Sequence, residues 1–206
     1  MLLSPYPMPN TVRRKVTTRL LLARHGETDW NRLGRWQGQA DPPLNDSGRR
    51  QALALGASLK TSVLAAVYSS TLKRASETAQ VVAAQHRLNV CRDPRLNEID
   101  LGDWEGLTRK EISVRYADLL RAWEADPCSV RPPHGETIAD LEERVLAVMR
   151  EIARAYPGET VCVVGHKISN GVIRSRYLGL PLIEALRSAP EHIVVDTMDI
   201  PHPLWG

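Results

Sequence analysis

Two short apolar runs, each ending abruptly on a histidine, constrain this chain more than any other feature. Leu20 to Ala23 runs into Arg24-His25-Gly26-Glu27, and Thr160 to Gly165 (TVCVVG) runs into His166. Such a run, closed by charged residues, reads as a buried strand reaching the edge of its sheet. Between the two the hydrophobic period turns helical over residues 46–60, with Asp46 or Ser47 as the expected N-cap. A second strand, Ala65 to Ser69, precedes a helix over 72–85, and a short strand near 88–91 leads into a polar loop at 92–107. Residues 108–126 read as helix. After a turn-rich stretch Thr137 caps a long helix whose Ile138, Leu141, Val145, Val148, Met149 and Ile152 share one face. The alternation predicts an α/β fold with helices on both faces of the sheet. Both histidines then fall at carboxyl ends of strands, where open α/β sheets bind ligands.

A length of 206 residues suits a single core. Residues 1–18, proline-rich and carrying a basic RRK cluster, are expected to be a flexible tail, and 19–206 one domain. The tail has no apolar run long enough for a signal peptide or a membrane span. A net charge of +3 comes from 27 basic residues scattered among 24 acidic ones, which implies a modest preference for anionic ligands and not a nucleic-acid surface. Cys91, Cys128 and Cys162 are far apart and lack CxxC spacing. Neither a disulfide framework nor a metal site is expected, and a cytoplasmic setting fits.

Four pieces carry chemistry when taken together: Arg24-His25 after the first strand, Arg74 in the second helix, Glu98 in the polar loop, and His166. Each alone has a structural reading, since a lone histidine or arginine is usually a satisfied or solvated residue. Jointly they match phosphoryl transfer. A transferring phosphoryl group spreads charge over three equatorial oxygens, with the attacking and leaving atoms in line. Arg24 and Arg74 supply planar donor forks, and a protonated His166 is expected to add a charge-assisted donor. His25 attacks only when neutral, a form that nearby arginines favour. Glu98, protonated as substrate binds, is expected to give its proton to the leaving alkoxide and later to draw one from water. No step in this set calls for a metal or another cofactor.

The chain resembles the histidine phosphatase superfamily, which includes the cofactor-dependent phosphoglycerate mutases. The likeness lies in LLARHGETDWN (21–31), GRWQGQADPPLNDSGRRQA (34–52), YSSTLKRASETA (68–79), LNEIDLGDWEGL (96–107), PPHGET (132–137) and VVGHKISNGVIR (163–174). The resemblance implies a three-layer α/β/α sandwich around a mostly parallel sheet. It implies a phosphorylated nucleophile at His25, a phosphate clamp of Arg24, Arg74 and His166, and a proton donor at Glu98. Asn31 matches a polar position of the phosphate pocket, and Gln37-Gly38 a substrate-side turn.

Within that family three departures point to a phosphatase acting on a small phosphorylated metabolite and away from a mutase. The stretch between Glu98 and His166 is short, Leu101 stands where mutases typically carry tyrosine, and no adjacent Arg-Arg pair occurs between Glu98 and His166. An open site admits water to a phosphoenzyme. A non-catalytic phospholigand-binding module is the remaining alternative, although such relatives usually lose the nucleophile or the acid. Lys167 replaces the glycine that most relatives have after the second histidine, and either faces solvent or meets a second anionic group of the substrate. His134, at another position where many relatives have glycine, poses the same choice.

Overall fold

The computed structural model describes residues 16–188, 192 and 194–202. Five strands form one sheet: β1 (Thr17–Arg24), β2 (Ala66–Ser69), β3 (Val90–Arg92), β4 (Thr160–Gly165) and β5 (Val195–Pro201), in the spatial order β3-β2-β4-β1-β5. All neighbours are parallel except β5, which runs antiparallel to β1. The central strands are apolar on both faces because both faces are covered. Leu20 and Leu22 of β1 join Val161 and Val163 of β4 in one core, while Leu21, Ala23, Cys162 and Val164 belong to a second core on the opposite face.

Helices complete the two outer layers. The second core is closed by α2 (Asp46–Leu59) and α3 (Lys73–Gln85), through Leu55, Leu59, Ala75, Ala79 and Val82. The first core is closed by α6 (Ile138–Ala155) and α7 (Lys167–Leu178). All six apolar-face residues expected of α6 are buried, and Thr137 caps it in a reciprocal box with Asp140. The molecule is thus the expected three-layer sandwich of the phosphoglycerate mutase-like type.

Local details depart from the expectations. The N-cap of α2 is Asn45, whose side chain accepts from the Gly48 amide. Asp46, one residue on, is already helical. The helix expected over 108–126 is two, α4 (Arg109–Arg115) and α5 (Ala117–Ala125), broken where Tyr116 leaves helical geometry at φ −135°. β1 begins at Thr17, inside the segment expected to be a tail, and Thr18 is buried with its hydroxyl donating to the Tyr156 carbonyl. The remainder of that segment, 1–15, lies outside the described residues. Three further elements carried no expectation: the single turn α1 (Asp29–Arg32), the short helix α8 (Leu182–Arg187) and the edge strand β5.

Candidate active site

Strand register brings the two histidines together. Arg24 lies opposite Gly165 across the β1–β4 ladder, so the next residue of each strand, His25 and His166, leaves the sheet side by side. The His25 amide donates to the Gly165 carbonyl at 3.1 Å, and the two ring centroids are 5.1 Å apart. The turn after β1 lies directly on the start of α2. A Cβ added to Gly26 would sit 2.4 Å from the Gly48 carbonyl oxygen, and one added to Gly48 would sit 2.0 Å from that of Glu27. Two glycines facing each other are therefore what lets the loop bearing His25 approach this closely.

The His25 ring is held in one tautomer. Its Nδ1 lies 2.7 Å from the Gly26 carbonyl, which can only accept, so Nδ1 carries the proton and Nε2 the lone pair. Burial, then the positive charges of Arg74 and Arg24, push its pKa well below the usual histidine value. His25 is neutral at pH 7, as the reading from its arginine neighbours required, though burial is the larger cause.

Arg74, on the first turn of α3, is almost fully buried. Its Nη2 donates to the Gly38 carbonyl, its Nη1 to the Ala40 carbonyl, and its Nε to His166 Nδ1 at 3.3 Å. Two of its five N–H groups are left over. Gly38 itself adopts φ +50°, and a Cβ there would meet the Glu105 carboxylate at 2.1 Å. The Gln37-Gly38 turn thus anchors the arginine through its carbonyl.

His166 departs from the expected protonated donor. It is fully buried, its Nδ1 accepts from Arg74, and its Nε2 then donates to the Ser70 hydroxyl at 2.7 Å. Burial, followed by the charges of Arg74, His25 and Arg24, lowers its pKa well below the ordinary value. A neutral ring bonded on both nitrogens, and absent from the wall of the main cavity, supports Arg74 and packs beside His25.

Glu98 reaches the same place from the loop between β3 and α4, and sits at the N-terminus of α7. Its Oε1 accepts from the Ile99 and Ser169 amides and its Oε2 from the Ile168 amide, each at 3.0 Å. The positive end of α7 thus grips this carboxylate. Oε1 has both lone pairs occupied and Oε2 has one left.

Arg24, His25, Arg74 and Glu98 line one cavity of about 480 Å³, together with Asn31, Gln37, Gly38, Leu101 and Lys167. Asn31 Oδ1 accepts from the Thr28 amide, which turns its Nδ2 amide away from that bond. Lys167 is on the wall, whereas His134 is not: it is exposed, sits at φ +59°, and bonds Asp103 at 3.0 Å. That left-handed backbone is one that glycine adopts without steric cost.

Three partners of the site had no assigned role. Ser70 and Thr78 lie inside the matched YSSTLKRASETA stretch, and their roles as the bond partners of His166 and of the Gly26 amide appear only in three dimensions. His192, beyond the motifs that carry the resemblance, donates from Nδ1 to the His25 carbonyl at 2.7 Å, with its ring centroid 5.6 Å from that of His25. No motif marks it.

The fold and this cluster define an α/β sandwich of the phosphatase type, with paired strand-end histidines and a buried arginine. The chain belongs to the histidine phosphatase superfamily (branch 1), whose family model matches residues 20–200. It is 35% identical over 164 residues to phosphoserine phosphatase 1 of Hydrogenobacter thermophilus, covering 80% of this chain and 78% of that protein. It is 40% identical over 161 residues to phosphoglycerate mutase-like protein 4 of Arabidopsis thaliana, covering 77% of this chain and 69% of that one. Among solved structures, a mycobacterial glucosyl-3-phosphoglycerate phosphatase in complex with VO3 aligns with a TM-score of 0.77 at 30% identity, covering 87% of this chain and 90% of that one.

Proposed function

We propose that the protein is a metal-independent phosphomonoester phosphatase that works through a phosphohistidine on His25. The observation that carries this reading is the tautomer of His25: with its proton fixed on Nδ1 toward Gly26, the ring keeps a lone pair on Nε2 in a cavity shared with Arg24 and Arg74. In the first half-reaction Nε2 attacks phosphorus and the ester P–O bond breaks. The departing alkoxide takes a proton from Glu98, carried on Oε2, the oxygen with a lone pair to spare. Arg24 and the two remaining N–H groups of Arg74 stabilise the equatorial oxygens. Water then attacks phosphorus, Glu98 recovers the proton, and phosphate leaves with His25 neutral again. His166 acts through Arg74, holding its guanidinium in place. The names of two of the relatives, a phosphoserine phosphatase and a glucosyl-3-phosphoglycerate phosphatase, support hydrolysis of a small phosphorylated metabolite.

Rapid quench of the protein with a radiolabelled phosphomonoester tests the mechanism. An acid-labile, base-stable phosphoryl group is expected on the wild type and none on His25→Ala, which should release no phosphate while keeping its fold. Near-normal turnover by His25→Ala would falsify the scheme.

A further inference from the structure

The residues proposed to hold the phosphoryl group, Arg24, His25, Arg74 and Glu98, make up only part of the cavity lining, its floor. About 480 Å³ is the size of a pocket for a whole small molecule, far more than a phosphoryl group fills. The rest of the wall carries six apolar side chains, Trp36, Leu101, Trp123, Ile168, Ile183 and Leu186, beside polar and charged ones. It is a rigid surface: Trp36 and Trp123 each stand edge-on to the fully buried Trp104, at 5.5 and 5.7 Å between ring centroids. Among the described residues no serine, threonine or tyrosine lines the cavity, and its neutral polar side chains are Asn31 and Gln37. Against indole and aliphatic carbon an apolar alcohol gains burial that a polyhydroxylated one does not.

The charges on the wall narrow the choice further. Arg35 is engaged by Glu111 and by the Gly106 carbonyl, and Glu124 by Arg109. Lys167 on α7 and Arg187 at the end of α8 also line the cavity, and neither pairs with a carboxylate among the described residues. A phosphate dianion is matched by Arg24 and Arg74 on the floor, which leaves these two cations in excess.

We propose that this cavity takes a phosphomonoester of a large apolar alcohol bearing a second anionic group, with Lys167 and Arg187 as the second-anion subsite and α8 as the selecting wall. The inference deepens the phosphatase reading and rests on it for the role of the floor. It differs from the bare expectation for Lys167 in requiring an apolar spacer and a partner cation from another element.

Calorimetry with non-hydrolysable phosphonates tests it without turnover. Methylphosphonate, naphthylmethylphosphonate and a ring-carboxylated naphthylmethylphosphonate are titrated into the intact protein. The naphthyl compound is expected to bind about tenfold tighter than the methyl one, because the wall removes its rings from water. The carboxylated one should gain about a further fivefold at low salt, an advantage that shrinks as salt rises. In the double variant Lys167→Gln, Arg187→Gln the two naphthyl ligands should bind alike. Both side chains are exposed, so the fold is not at stake, and unchanged circular dichroism would check that. Equal affinity for all three ligands, or a carboxylate advantage that survives both substitutions, overturns the proposal. If the phosphonate preferences hold but no phosphomonoester releases phosphate, the phosphatase reading fails and the subsite stands.

Discussion

The proposed chemistry makes two demands on the neighbourhood of His25 and His166 that pull against each other: an anion site needs positive charge, and a nucleophilic imidazole must have none. Burial resolves it, holding both rings neutral while the arginines remain charged. The consequence is a proton linkage. A bound dianion favours the protonated form of a neighbouring ring, so the complex binds more protons than the free protein and affinity rises as pH falls. We expect tungstate, which stays dianionic through neutral pH, to bind more tightly at pH 6 than at pH 8 and to take up protons, about one per site. Titration in buffers of different ionisation enthalpy reads that uptake directly; affinity independent of pH and buffer would show that the rings stay neutral in the complex. At this scale Arg24, His25, Arg74 and Glu98 were legible because each sits in a motif whose residue types the chemistry demands. The protonation of His166 was not, because solvent access and hydrogen-bond partners belong to the folded neighbourhood.

Glu98 has two roles, one of them as part of an element. Three main-chain N–H groups converge on its carboxylate, two of them from the first turn of α7, so the proposed acid also caps the helix that follows His166. Removing it with Glu98→Ala leaves those donors unpaired in a buried place, and we expect a loss of about 2 kcal/mol in stability by urea denaturation. Glu98→Gln keeps one acceptor oxygen and should cost about half as much, or about 1 kcal/mol, while still slowing turnover of alkyl phosphates. An Ala variant as stable as wild type would mean that the cap does not form in solution. Other element-level departures have equally local causes. Asn45 caps α2 because the Glu27 carbonyl receives the Asn45 amide and Glu27 Oε1 its side-chain amide, both nonlocal contacts that single out Asn45 over Asp46. β5 shows only two buried residues, Met198 and Ile200, among acids and Thr197, too few to mark a strand until β1 offers its free edge.

Across the whole molecule, the choice between hydrolysis and isomerisation depends on what covers the cavity. The chain from Glu98 to His166 holds α4, α5, α6 and β4; α5 supplies Trp123 and Glu124 to the cavity wall, and α6 packs into the core. Between these elements the longest stretch without a strand or α-helix is 126–137, too short for a separate covering domain. A mutase must keep water away until an acceptor hydroxyl attacks, so an uncovered site favours release of phosphate. Given 3-phosphoglycerate and a trace of 2,3-bisphosphoglycerate, the protein should form little 2-phosphoglycerate. Coupling to enolase measures the isomer and a colorimetric assay the free phosphate; rapid, cofactor-dependent isomerisation with negligible phosphate would make the mutase reading the correct one.

The amino-acid order by itself determined the layers, the central strands and the residue types that gather at the candidate site. These follow from local rules: apolar runs of strand length, a 3.6-residue period, caps, and a motif whose chemistry is unusual enough to identify. Tertiary structure alone decided which atoms face which. The β1–β4 register sets His25 beside His166, the fit of Gly26 on Gly48 seats the loop, and the Ser70 and Arg74 bonds turn His166 inward. The upper cavity is the clearest case, since Trp36, Trp123, Lys167 and Arg187 come from four separate stretches of chain. Their common wall depends on packing around Trp104 and on where α8 comes to rest, and no local pattern encodes either.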